Sequence, residues 1–211
     1  MDGVLIDSES VYLINAKRCN DIYHFNINNE VLHATMGSTE KDCRRLFEEI
    51  LGKDFPYDDF SDKQWALQQE YMKQHPLQLK KGVIELLDYL TQNKIIKVIA
   101  TSTSRNYACK CLKDVGIYDY FDYIVCGDDL QKSKPNPDIY LKAISPYNFT
   151  EEEILVFEDS NNGILSGCNA NLKVIYVPDV AIVPQDTQNK AYVIIEDLSK
   201  AIDIIENLKN K

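Results

Sequence analysis

Glu158 and Asp159 are adjacent carboxylates at the end of an apolar run, and a carboxylate where a buried strand ends is costly without a partner. A hard divalent cation takes such oxygens, and Mg2+ typically uses one or two carboxylates together with waters and phosphate oxygens. The same residues have a plainer use, because Asp-Ser at a helix start is an ordinary N-cap. Thr101 and Ser102 can donate to phosphate oxygens, or cap the helix that follows them. Lys134 can hold a phosphate as a point charge, or sit in solvent on a loop. Asp2, beside Gly3 in a turn, indicates nothing alone. Each cluster is weak by itself. Their order along the chain and their placement after strands carry more weight, since ligands of open α/β sheets bind at the carboxyl ends of the strands.

The elements that must position them follow from hydrophobic periodicity. Short, near-continuous apolar runs at Ile95–Thr101, Tyr123–Cys126, Ile154–Glu158 and Lys173–Val177 predict buried parallel strands, with a late strand at Tyr192–Ile195. Helical spacing predicts helices at Val83–Leu90, about 104–115, 137–145 and 161–170, and an amphipathic last helix at Leu198–Leu208. This alternation predicts an α/β class, a Rossmann-like parallel sheet with βα crossovers. Residues 9–75 read as helices instead. Ser10–Phe25 carries Val11, Ile14, Ile22 and Phe25 on one spacing; Ser38–Leu51 has Thr39-x-x-Asp42 as a capping box and Gly52 as a stop; Phe60–His75 has Ser61-x-x-Gln64 as its cap. The expected organisation is a core of 1–8 and 80–211 with a helical cap of 9–79.

Composition bounds the function. The chain has 211 residues, 45% apolar and 27% charged, which is globular and long enough for a sizeable core. A net charge of −10 argues against a nucleic-acid partner. No apolar run approaches a membrane helix, and the first ten residues have no charged n-region or apolar h-region, so no membrane partner and no secretory leader are expected. Cys19, Cys43, Cys109, Cys111, Cys126 and Cys168 form no CxxC pair and read as reduced thiols of a cytoplasmic protein rather than a zinc site.

The strings MDGVLIDSE, ATSTSR, SKPNPDIY and FEDSNNGI, in that order, resemble the four signature motifs of the haloacid dehalogenase superfamily. The likeness is to its β-phosphoglucomutase-like phosphatase branch, and the helical insertion resembles the small α-helical cap. The resemblance implies a Mg2+-dependent phosphatase of a small phosphate ester, a sugar phosphate by class, working through an aspartyl-phosphate. It implies Asp2 as the acid/base aspartate whose backbone carbonyl also meets the metal. Thr101 and Lys134 become the phosphoryl-holding pair, with Ser102 behind them. Glu158 and Asp159 become the acidic pair near Mg2+. The loop Met36–Glu40, with Ser38 and Thr39, resembles the substrate-reading loop.

One position departs from the pattern. The superfamily motif reads Asp-x-Asp-Gly, and here x is Met1, so the nucleophile would stand one residue ahead of Met1. Two readings compete: a start assigned to an internal methionine, which is expected because every downstream motif is intact, or a chain that binds phosphate without catalysis. Without the strand that carries the nucleophile, the chain is expected to fold poorly or to leave a gap in its sheet. A β-phosphoglucomutase-type isomerase is the alternative activity. Glu40, with Lys41 adjacent, stands where such mutases carry a basic residue, and a carboxylate there would repel a bisphosphate. Tyr12 is a further candidate to face substrate, and Arg18 reads as solvated. A monomer or weak dimer is expected.

Overall fold

The computed structural model describes residues 1–209. The last two positions of the expected core segment, 210 and 211, lie outside the described residues. The chain opens in a tight turn, in which Gly3 has φ +65° and the Val4 N–H donates to the Asp2 carbonyl at 2.7 Å. Four helices follow: α1 (Ser8–Tyr23), α2 (Asn29–Ala34), α3 (Glu40–Leu51) and α4 (Tyr57–Gln74). They share an apolar centre containing Cys19, Leu32, Phe47 and Phe60, where the Phe47 and Phe60 rings are 5.3 Å apart.

The chain returns at Leu79, which bridges Ile6, and then alternates. In order come α5 (Val83–Gln92), β1 (Val98–Ala100), α6 (Arg105–Asp114), β2 (Tyr123–Val125), α7 (Asp138–Ile144), β3 (Leu155–Glu158), α8 (Asn161–Asn169), β4 (Lys173–Tyr176), α9 (Gln185–Gln188), β5 (Val193–Ile194) and α10 (Ala201–Lys209). All strand pairs are parallel: β1 with β2, and β3–β4–β5. Successive strand residues point to opposite faces, as the pleat requires. Ile99 and Ile175 join a cluster with Val83, Leu87 and Leu198, whereas Val125, Val156 and Val174 join Ile139 and Ile164 on the other face. Each cluster draws on both groups of strands, so the strands form one layer between two helical layers. That is the expected α/β architecture.

The ladder is split within that layer, because β1–β2 and β3–β4–β5 are separate hydrogen-bonded sheets. Val98, Ala100, Leu155 and Phe157 are only half-buried. The split lies between the strand that ends beside Thr101 and the strand that ends at Glu158.

Several expected boundaries change for local reasons. The run Ile95–Thr101 contributes only Val98–Ala100 to the ladder, because the Ile95 N–H caps α5 through Leu90 and the Lys97 N–H donates to the Asp122 carboxylate. The helix expected at Phe60–His75 is α4 and starts at Tyr57, so Ser61 and Gln64 lie inside it and form no cap. Gln64 is buried and donates to Gln68 at 2.7 Å. In α1 the buried stripe runs through Val11, Asn15 and Cys19, leaving Ile14 and Ile22 exposed. Asn15 tolerates burial because its amide donates to the Val11 carbonyl at 2.8 Å. At α3, Thr39 accepts from the Asp42 N–H at 3.3 Å, and its own hydroxyl donates to the Asp42 carboxylate at 2.7 Å. Half of the expected box therefore forms, since Asp42 does not reach the Thr39 N–H. α2 and α9 are short helices that the periodicity did not signal.

Candidate active site

The carboxyl ends of β1 and β3 face a small cavity of about 50 Å3, closed from the helical side by the loop between α2 and α3. Its lining joins Asp2, Ser38, Thr101, Ser102, Lys134, Glu158 and Asp159, and neither Thr39 nor the further candidate Tyr12. Thr39 does not line it, because its hydroxyl is committed to the start of α3.

Asp2 is held by three hydroxyls. Ser8 donates to Oδ1 at 2.6 Å, while Thr103 at 2.8 Å and Thr101 at 3.2 Å donate to Oδ2. Thr101 is itself fixed, because its Oγ1 accepts the Thr103 N–H at 3.2 Å. Ser102 turns away from this group and donates to the Gly37 carbonyl at 2.9 Å, tying the core to the loop over the site.

Lys134 sits on the loop between β2 and α7 with its ammonium against Glu158, and reaches the Ala100 carbonyl at 3.4 Å. It therefore links the ends of β1 and β3 across the split. Glu158 also accepts from the Tyr140 hydroxyl at 2.5 Å and from Ser160 at 3.3 Å. Gly163 makes room for it: a Cβ there would lie 1.9 Å from Glu158 Oε2. Burial pushes the Glu158 carboxyl up, but the Lys134 charge and the hydrogen bonds from Lys134 and Tyr140 counter it, and the carboxyl lies below the ordinary range.

Asp159 differs. Its Oδ2 is buried and has no hydrogen-bond partner. Burial, then the neighbouring Glu158 charge, push its carboxyl up to about 8. Gly3 supplies the space beside it, since a Cβ there would lie 2.1 Å from Asp159 Oδ2. Asp179 has its Oδ2 buried and unpartnered too, while its Oδ1 receives Lys80 at 2.5 Å. An unpartnered buried carboxylate oxygen in a cradle emptied by glycine, in a cavity that Asp2 and Glu158 also line, offers hard oxygen to a cation.

The sequence reading missed Ser8, Thr103 and Glu9. Thr103 stood within the quoted string ATSTSR, but Ser8 and Glu9 have no signal until α1 brings them to the site. Glu9 is half-buried in the cavity wall; burial, then the Asp159 and Asp2 charges, push its carboxyl well above its usual range. The loop over the site is latched at further points. The Asn162 amide donates to Ser38 Oγ at 3.4 Å, and His33 Nδ1 lies 3.1 Å from the Val180 carbonyl. Gly37, at φ +72°, approaches Ser160 so closely that a Cβ would lie 2.5 Å from its Oγ. Arg18 is exposed, as expected, and Tyr12 contacts Thr35 at 3.2 Å.

The haloacid dehalogenase-like hydrolase family matches residues 1–177. Among characterised sequences, the chain is 29% identical over 180 residues to a phosphorylated carbohydrates phosphatase of Thermotoga maritima, covering 83% of this chain and 81% of that one. It is 29% identical over 192 residues to (DL)-glycerol-3-phosphatase 2 of Arabidopsis thaliana, covering 85% and 77%. Among solved structures, a hydrolase from Pseudomonas syringae superposes with a TM-score of 0.82 at 22% identity, covering 98% and 95%, a likeness of fold.

Proposed function

The chain belongs to the haloacid dehalogenase-like hydrolase family and is an enzyme; from that premise we propose that it is a Mg2+-dependent phosphatase of a small phosphorylated metabolite, a sugar phosphate by class. The observation that carries the proposal is the unpartnered Asp159 carboxylate beside the Lys134–Glu158 pair and the Asp2 turn. The phosphatase names of the two relatives support the reaction class.

In this reading Asp159 and the Asp2 carbonyl hold the cation, with Glu158 beside them. When bound, the cation neutralises charge so that a carboxylate can approach a phosphate. The attacking carboxylate belongs one residue ahead of Met1, beyond the 211 residues. It forms the new bond to phosphorus as the bond to the leaving oxygen breaks, and Asp2 gives that oxygen its proton. Water then attacks phosphorus and passes its proton to Asp2, which frees phosphate and the first carboxylate. The hydroxyls of Ser8, Thr101 and Thr103 keep Asp2 aimed through both steps. Lys134, steadied by Glu158, offers its remaining donors to phosphoryl oxygens.

Helices α1–α4, segment 9–79, act as the cap that excludes water and reads the leaving group. Glu40 is exposed at the start of α3 and presents no cation for a second phosphate, which favours hydrolysis over isomerisation. The six free cysteines are in keeping with a reducing cytoplasm. Calorimetric titration with Mg2+ tests the metal assignment. Asp159→Asn is expected to weaken binding at least about tenfold, as loss of a charged ligand should; equal affinity in the variant rejects it.

A further inference from the structure

A second cavity, of about 380 Å3, lies between α6 and the C-terminal half of α4 with the linker after it. The catalytic reading makes no use of it. Its floor is apolar, built by Met72 and Leu77 on one side and Tyr107 and Cys111 on the other. The Tyr107 hydroxyl accepts from Gln68 at 3.3 Å and lies 3.9 Å from Met72 Sδ, and its ring packs edge-on against Trp65 at 4.9 Å. These contacts hold the two helices at one end and leave the cavity open at the other.

The polar groups around it are mostly donors and cations. Gln69 Nε2 is buried without a hydrogen-bond partner. A buried donor left unmade is costly, so an acceptor placed there is favoured. Lys73 is exposed and has no ion-pair partner among the described residues. Lys110 has Asp114 at 2.5 Å, and that carboxylate lines the cavity too; the pair is exposed and helical, of the kind that adds little, and Lys73 beside it carries the cation that is free of a pair among the described residues. The volume lies within the range of small-molecule sites, and an apolar floor with a few convergent polar groups is their usual make-up.

We propose that the cleft between α4 and α6 is a binding site for a small amphipathic carboxylate, its apolar body against Met72, Leu77 and Tyr107 and its anionic head between Lys73 and Lys110. The ligand's second oxygen accepts from Gln69. Because α4 and α6 lie in the segments read above as cap and core, an occupant bridges the two. Binding itself does not depend on that reading or on catalysis.

Trp65 is the only tryptophan of the chain and its ring contacts Tyr107, so its emission reports the cleft. The test titrates the full chain with 4-phenylbutyrate and, separately, with its neutral amide, 4-phenylbutyramide. The acid is expected to change Trp65 emission saturably, and the amide to bind at least about tenfold more weakly, since a charge-assisted hydrogen bond is lost. Lys73→Ala with Lys110→Ala is expected to weaken the acid at least about tenfold and leave the amide unchanged. Lys73→Glu alone, on an exposed turn of α4, is a second arm with the same expected direction. Equal binding of acid and amide, acid binding unmoved by these variants, or no saturable change with the acid overturns the proposal.

Discussion

The ammonium of Lys134 is ion-paired with the carboxylate of Glu158 where β1 and β3 end, and each side chain is only 6% exposed. With the Ala100 carbonyl as a further contact, Lys134 spans the split between the two sheets. The pair is therefore a structural link as well as part of the candidate site. Removing one partner of a buried pair leaves the other charge uncompensated. Glu158→Gln and Lys134→Met are each expected to destabilise the fold by about 3 kcal/mol. The double variant should lose much less than the sum of the two. Urea denaturation of the four proteins measures this, and additive losses would show that the two residues act independently.

Metal-free protein should carry a pH signature of Asp159. Its carboxyl is raised to about 8 in the fold from an ordinary 3.8. The folded state thus holds that proton more tightly than the unfolded chain. The stability this contributes is complete below about pH 4 and is lost as pH rises through about 8. Melting temperatures in chelator should fall across that window, and Mg2+ should reverse the fall, since a metal ligand must be deprotonated to bind. Glu9, whose carboxyl is raised by burial and the neighbouring charges, contributes with the same sign, so Asp159→Asn should reduce the metal-free slope and Asp159→Asn with Glu9→Gln should flatten it. A slope unchanged in Asp159→Asn removes Asp159 from it.

Gly3→Ala tests the cradle beside that carboxylate. A Cβ would lie 2.1 Å from Asp159 Oδ2, on a backbone at φ +65°. The left-handed conformation alone costs about 1–2 kcal/mol for a residue with a Cβ. The variant should melt lower and bind Mg2+ more weakly than wild type. Gly52→Ala, at φ +95° with no atom within reach of its Cβ, should melt lower with Mg2+ affinity unchanged. Equal Mg2+ binding by both variants would remove the cradle from the metal site.

Much of the core was legible because its strands are short apolar runs and its helices end at clear breakers, so β3, β4, α5 and α8 fall close to their expected bounds. Segment 9–75 was legible as helices but not as faces. Counting apolar residues put Ile14 and Ile22 in the stripe of α1, whereas burial there follows Asn15, and in α4 it follows Gln64 and Gln68; these side chains find hydrogen bonds within their own helices. Periodicity cannot see that satisfaction. The site residues that follow strands were readable for the same topological reason. Ser8 and Glu9 were not, because only the turn at Gly3 folds the start of α1 back onto Asp2, and the Lys80–Asp179 pair was not, because only the fold joins residues 99 apart in sequence.

The most direct measurement is phosphate release from a panel of sugar phosphates by two proteins in parallel. Both carry a short apolar strand segment ahead of Met1, ending in Asp in one and in Asn in the other. The Asp form should hydrolyse at least one sugar phosphate in a Mg2+-dependent manner. The Asn form should be slower by several orders of magnitude, on the order of the loss expected when a catalytic nucleophile is removed. Equal turnover by the two forms, or a folded Asp form inert to the whole panel with Mg2+ present, would contradict a phosphatase whose nucleophile precedes Met1.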